Sequence, residues 1–170
     1  MSRRLIAVAL LALAPVAAHA QGMAAMQPLY NTAKGWLVRS AELMPEEHYA
    51  FKPTPEVRSF GELIGHVADA NFMICAIAKG ETSPAKQSFE KTAGKAALVQ
   101  AVKDAMAYCD PVYQMAESAL AAPAEMFGMK MSRLGFAFLN VTHNNEHYGN
   151  LVTYFRLKGL VPPSSQRSGM

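Results

Sequence analysis

Apolar residues recur every three or four positions through four long stretches of this chain, and period-two alternation is nearly absent. A repeat near 3.6 marks a helix with one buried face, whereas a half-buried strand alternates. The first stripe runs Leu29, Ala33, Trp36, Leu37, Ser40, Ala41 and Met44, and stops at Pro45. The second opens on Ser59, which can cap the helix while Glu62 reaches back to it, a capping box. It continues through Leu63, Ile64, Val67, Ala70, Ile74 and Ala78 to a stop at Gly80. The third comprises Leu98, Val102, Ala105, Cys109, Val112, Ala116 and Leu120. Pro111 lies inside it, where a missing N–H and a crowded preceding turn predict a kink. The fourth runs from Ser132 through Phe136, Leu139, His143, His147, Leu151 and Tyr154 to Gly159, with Pro162 and Pro163 beyond. Four such stripes with no strands predict an all-α fold, a four-helix bundle. The intervening stretches 45–58, 80–92 and 121–131 are rich in Pro, Gly and polar residues and read as loops. The longer connections suit crossovers between helices, and the first is long enough to carry function.

The first twenty residues read as an address. Arg3 and Arg4 precede the apolar run LIAVALLALAPVAA, and Ala18-His19-Ala20 offers small residues where a signal peptidase reads, which predicts cleavage after Ala20. The run is short for a membrane span and no stop-transfer segment follows, so the expectation is a periplasmic or secreted protein whose mature form has no membrane partner. Residues 21–163 then form one bundle domain, and 164–170 a disordered tail. The full chain has 16 Lys and Arg against 13 Asp and Glu, and loss of Arg3 and Arg4 brings its net charge from +3 to +1. A nearly neutral mature chain without a basic stripe argues against a nucleic-acid partner. Two cysteines, Cys75 and Cys109, are expected to be bridged in an oxidising compartment, the alternative being two small buried thiols.

Three histidines face the predicted core. His143 and His147 are four apart and share a face, the one bearing Phe136, Leu139, Leu151 and Tyr154. His66 has the same character on the second helix, one turn past the capping box. Buried imidazoles cost several kcal/mol unless their nitrogens find partners. One divalent metal bound by all three would satisfy them and leave a position open for water, as in catalytic sites. Hydrogen bonds to helix carbonyls are the competing explanation, and spacing alone leaves both open. His48, in a charged loop, is read as solvated.

The stretch HYAFKPTPEVRSFGELIGHVADAN, followed much later by HNNEHYGNLVTYFRLKGLVPP, resembles the DinB-like family of metal-binding four-helix bundles. The shared features are His66 on the second helix, His143 and His147 on the last, and then Gly149, Tyr154, Arg156, Gly159, Pro162 and Pro163. The resemblance covers roughly residues 27–163. It implies that His66, His143 and His147 bind a divalent ion, nickel or zinc, in a bundle with crossover connections that frequently forms homodimers. Relatives include thiol-dependent transferases and isomerases. Their thiols are cytosolic, which is at odds with export. Two functions follow as expectations: a metal-dependent hydrolase or transferase acting on a small molecule, or a non-catalytic metal- or ligand-binding bundle.

His143-Asn144-Asn145-Glu146-His147 also fits the H-x-x-E-H motif of inverted zinc peptidases, but that class needs a later carboxylate ligand, and no Asp or Glu follows His147. Glu146 stands as a candidate general base at the pocket edge, against a plain salt bridge to Arg156 or Lys130. Asp69 is placed to orient a histidine ring, against simple exposure. Met126, Met129 and Met131 offer soft copper ligands, against covering the end of the bundle.

Overall fold

The computed structural model describes residues 21–92 and 94–166; the expected signal peptide and residues 167–170 lie outside them. Four helices form: α1 (Gln21–Leu43), α2 (Phe60–Lys79), α3 (Lys95–Cys109) and α4 (Arg133–Leu157). α1 and α2 each pack against both α3 and α4, so α1 and α2 face each other diagonally, as do α3 and α4. The links 44–59 and 110–132 therefore cross the bundle, and only 80–94 joins neighbours. The bundle has crossover rather than simple up-and-down order.

Local chemistry sets the helix ends. Ser59 Oγ accepts from the Glu62 amide and the Glu62 carboxylate accepts from the Ser59 amide, the reciprocal cap the sequence predicts. α2 ends at Gly80, whose φ of +74° suits glycine, and a Cβ there would meet the guanidinium of Arg133. α2 is long and apolar enough by composition to cross a membrane. Its most apolar window is 72% buried among the other helices, as suits the central helix of a bundle.

The third helix departs from expectation. Rather than kinking and continuing to Leu120, α3 ends at Cys109, and Pro111 opens a 3-10 turn at Asp110–Gln114, followed by another at Glu117–Leu120. Proline cannot supply the i→i−4 bond that continuation requires, and the tighter turns still bury Val112 and Leu120. The stretch read as a loop holds a hairpin, β1 (Pro123–Met126) and β2 (Met129–Ser132), paired Met126 to Met129. Phe127 and Gly128 at its tip both have positive φ, the requirement of a two-residue hairpin turn. Met126 and Met131 pack partly buried against the core. On α1, Leu29 faces outward and Tyr30 takes its place inside, stacked on Tyr113 with ring centroids 3.8 Å apart. The start of the expected tail is held: residues 163–165 form a 3-10 turn, and the Ser164 amide donates to Tyr148 Oη.

Cys75 on α2 and Cys109 at the end of α3 form a disulfide, with Cα atoms 5.3 Å apart. Both are buried, and they tie together the two helices that share the largest interface.

Candidate metal centre

α2 delivers His66 and α4 delivers His143 and His147 to one point on their shared seam. One ring nitrogen from each lies within 4.8 Å of the others. The Nε2 atoms of His143 and His147 are 3.0 Å apart, and the His66 ring lies 4.7 Å from that of His147 and 5.3 Å from that of His143, centroid to centroid. His147 is only 7% exposed, while His66 and His143 are half-buried.

Burial lowers the pKa of His147 to about 3, with further lowering from His143, His66 and the charge of Arg58. Burial also lowers His143, as do His66 and Arg58, while the negative charge of Glu146 works in the other direction. Both rings are thus held neutral, the form in which imidazole donates a lone pair to a metal. Two lone pairs facing each other at 3.0 Å repel unless a proton or a cation lies between them. Two metal–nitrogen bonds of about 2.1 Å meeting at 90–110° end about 3.0–3.4 Å apart, so the spacing fits a bound divalent ion. His143 Nδ1 is the one buried side-chain polar atom among the described residues without a hydrogen-bond partner. A ring that has lost solvation at one nitrogen needs a strong partner at the other. The donor set of three imidazole nitrogens suits a divalent transition-metal ion.

A cleft of about 670 Å³ opens beside the cluster, with His147 in its wall. Pro53, Glu56, Val57 and Arg58 of the first crossing link form one side, and Leu63, Asn150, Thr153 and Tyr154 contribute from α2 and α4. The long first loop thus reaches the site. Tyr154 Oη donates to the Arg58 carbonyl and fixes the end of that loop to α4.

The carboxylates fall differently from the sequence expectation. Glu146 is exposed and is not among the residues lining the cleft, because one residue along the helix turns it about 100° away from His147. It does not form the salt bridge weighed against the base role either: Lys130 pairs with Glu125, and Arg156 donates to Ser165. Asp69 hydrogen-bonds no histidine; it accepts from the backbone of Phe89 and Glu90 and from the Ser88 hydroxyl. The carboxylate at the histidines is Glu90, whose Oε2 lies 3.3 Å from His66 Nδ1 and whose Oε1 accepts from Arg58 Nε at 2.8 Å. Sequence reading missed Glu90 because it sits in a loop 24 residues from His66, outside any helical period. His48 stays outside the cluster, in the 3-10 turn Glu46–His48.

Residues 32–151 match the family model described as the DinB superfamily. Among solved structures, a DinB-like protein from Bacillus subtilis is similar over 84% of this chain and 99% of its own, at 24% identity and a TM-score of 0.67. A DinB-like protein from Bacillus cereus matches at 13% identity and a TM-score of 0.70, over 81% and 93% of the two chains. A mycothiol-dependent maleylpyruvate isomerase matches at 17% identity and a TM-score of 0.64, over 76% of this chain and 60% of the isomerase. At these identities the likenesses speak to fold. No protein of curated function matches the sequence significantly.

Proposed function

We propose that this chain, which belongs to the DinB superfamily, is an exported protein that holds a divalent ion, nickel or zinc, on His66, His143 and His147 and serves hydrolysis or group transfer on a small molecule. The carrying observation is that His147 belongs at once to the three-histidine cluster and to the wall of an open cleft of about 670 Å³. A closed structural site takes four protein ligands, whereas three leave a position for a reacting molecule. A sealed pocket would argue for a purely structural ion; this one opens beside the ligands.

When bound, such an ion supplies Lewis acidity, polarising an oxygen of the substrate or acidifying water. The chain supplies the rest. Burial keeps His143 and His147 neutral and available as donors. Asn150, Thr153 and Tyr154 line the cleft with groups that hydrogen-bond a polar molecule, and Pro53, Val57 and Leu63 give it apolar contact. Glu146, outside the lining, is assigned no step. The leader-like residues 1–20 support export, and the Cys75–Cys109 cystine suits an oxidising compartment.

The test is metal analysis of untagged protein, followed by a hydrolase and transferase substrate screen with and without chelator. Stoichiometric nickel or zinc and a chelator-sensitive activity are expected. Wild-type protein without bound metal that also fails to take it up on addition would sink the reading. Bound metal with no activity across the screen would leave a binding protein instead of an enzyme.

A further inference from the structure

We propose that Glu90 is a positioning residue for His66, and that the turn Phe89–Lys91 is a clamp, seated on Gly65 and latched by Asp69, that presents His66 to the metal. The inference rests on the three-histidine reading of the site. Glu90 is ion-paired with Arg58, at 2.8 and 3.5 Å, and an ionised carboxylate only accepts hydrogen bonds. A carboxylate 3.3 Å from His66 Nδ1 favours the imidazole tautomer that carries its proton there and leaves the Nε2 lone pair free. Fixing the tautomer and ring orientation of a ligand histidine through its second nitrogen is a recurrent outer-shell device.

The rest of the clamp is built on one face of α2. A Cβ on Gly65 would lie 2.3 Å from the Phe89 carbonyl oxygen and 2.7 Å from Glu90 Cα, so only glycine lets the turn sit this close to the helix. One turn along, the Asp69 carboxylate accepts from Phe89 N at 2.8 Å, Glu90 N at 3.2 Å and Ser88 Oγ at 2.6 Å, which gathers the turn's otherwise free donors. Phe72 then stacks on Phe89, ring centroids 5.9 Å apart. Gly65, Asp69 and Phe72 recur at helical spacing around His66, and each acts on the turn that carries Glu90. A loop merely packed on a helix would not need its acid directed onto a ligand nitrogen. Arg58 pairs with Glu90, and both line the cleft, so the turn borders the open space beside the histidines.

The experiment is a cobalt(II) titration of the untagged, metal-free full chain, read by visible ligand-field absorption, for wild type, Glu90→Ala, Glu90→Gln and Gly65→Ala. Melting temperatures of the metal-free proteins are recorded in parallel. Glu90→Ala is expected to bind cobalt about 10–100-fold more weakly with an altered band shape, while its metal-free melting temperature stays near wild type. Glu90→Gln keeps an acceptor for His66 Nδ1–H and recovers most of the affinity. Gly65→Ala, which pushes the turn away, weakens cobalt binding as Glu90→Ala does. Wild-type affinity and spectrum in Glu90→Ala overturn the clamp while leaving the three-histidine site intact. Parallel loss of affinity and metal-free stability without rescue by Gln overturns it equally, because that is the signature of a structural ion pair. Failure of wild type to bind cobalt overturns the site itself and the clamp with it.

Discussion

Two polar islands share the α2–α4 seam. Asn71, Asn140 and Asn144 form one, and His66, His143 and His147 form the other, with Asn144 directly following His143 in the chain. All three asparagines are fully buried. Asn71 Oδ1 accepts from Asn140 Nδ2 at 2.8 Å and from Asn144 Nδ2 at 3.0 Å, and Asn71 Nδ2 donates to the Val67 carbonyl and to Asn144 Oδ1, both at 2.7 Å. Tyr113 Oη donates to Asn140 Oδ1 from the far side. The histidine island has no such closure: it borders a cleft, two of its rings meet nitrogen to nitrogen, and His143 Nδ1 has no partner. Where every buried donor and acceptor is matched, a polar cluster locks register and packing. Where lone pairs are left over beside an opening, the cluster is prepared for something from outside.

If that contrast is right, the islands fail in different ways. The largest effect falls on the open one: His143→Ala or His147→Ala abolishes stoichiometric metal binding. Elemental analysis of purified variants that still carry full metal would refute it. Both variants remain folded, because removing one of three crowded rings relieves unfavourable burial. The bridge beside the closed island comes next. Cys109 Sγ lies 3.3 Å from the Asn71 carbonyl oxygen, and the disulfide closes a separation of 34 residues. Its reduction costs about 4 kcal/mol by loop entropy, read as a lower guanidinium midpoint with reductant, and two free thiols found by titration of the unreduced protein would end the idea. Asn71→Ala follows at about 3 kcal/mol, since it strands the amides of Asn140 and Asn144 without partners. Its metal affinity stays near that of wild type. A variant that kept its stability and lost its metal would invert the comparison.

The sequence shows the frame of both islands and the chemistry of only one. The Ser59 cap and the Gly80 and Gly159 stops are local signals that the structure carries as α-helix boundaries or their immediate neighbours, and three of the four stripes each follow one α-helix, while the third outruns α3 at Cys109. His143 and His147 are legible because helical spacing places them together, and His66 because it sits one turn past a recognisable cap. Glu90 is not legible, since its nearness to His66 depends on Gly65 letting a distant turn approach, and a glycine within a helix does not announce what comes to rest on it. The asparagines were invisible as a group for a related reason. Each looks like an ordinary polar residue in its own helix, and only the α2–α4 packing shows that they satisfy one another. The hairpin at 123–132 hid behind Phe127, which stands where Asn or Asp would have signalled a tight turn.

Acid should separate the islands by titration, since asparagine has no charge to gain. His147 is held down to about 3 in the folded chain by burial first and then by His143, His66 and Arg58, and His143 is lowered too. The unfolded chain binds these protons near the ordinary histidine value of about 6.5. With the folded pKa below the unfolded one, the unfolded state holds more protons throughout the interval between them. Stability of the metal-free protein is therefore at its highest above about pH 6.5 and falls as pH drops toward about 3. At pH 5, His147 alone accounts for a loss of about 2 kcal/mol, one and a half pH units below the unfolded value at about 1.4 kcal/mol each. Denaturant midpoints of metal-free wild type and His147→Ala, measured from pH 7.5 to 5, read this directly. The variant's curve should be flatter by about that amount, and identical slopes would mean that burial leaves the His147 pKa at its unfolded value. Saturating metal adds a second effect of the same sign. Protons and metal compete for the same nitrogens of the folded chain, so binding weakens and the metal-loaded protein loses its added stability as His147 takes up its proton, toward about pH 3. Asn71→Ala, by contrast, should lower the whole curve without changing its slope, because the network it breaks contains no group that titrates there.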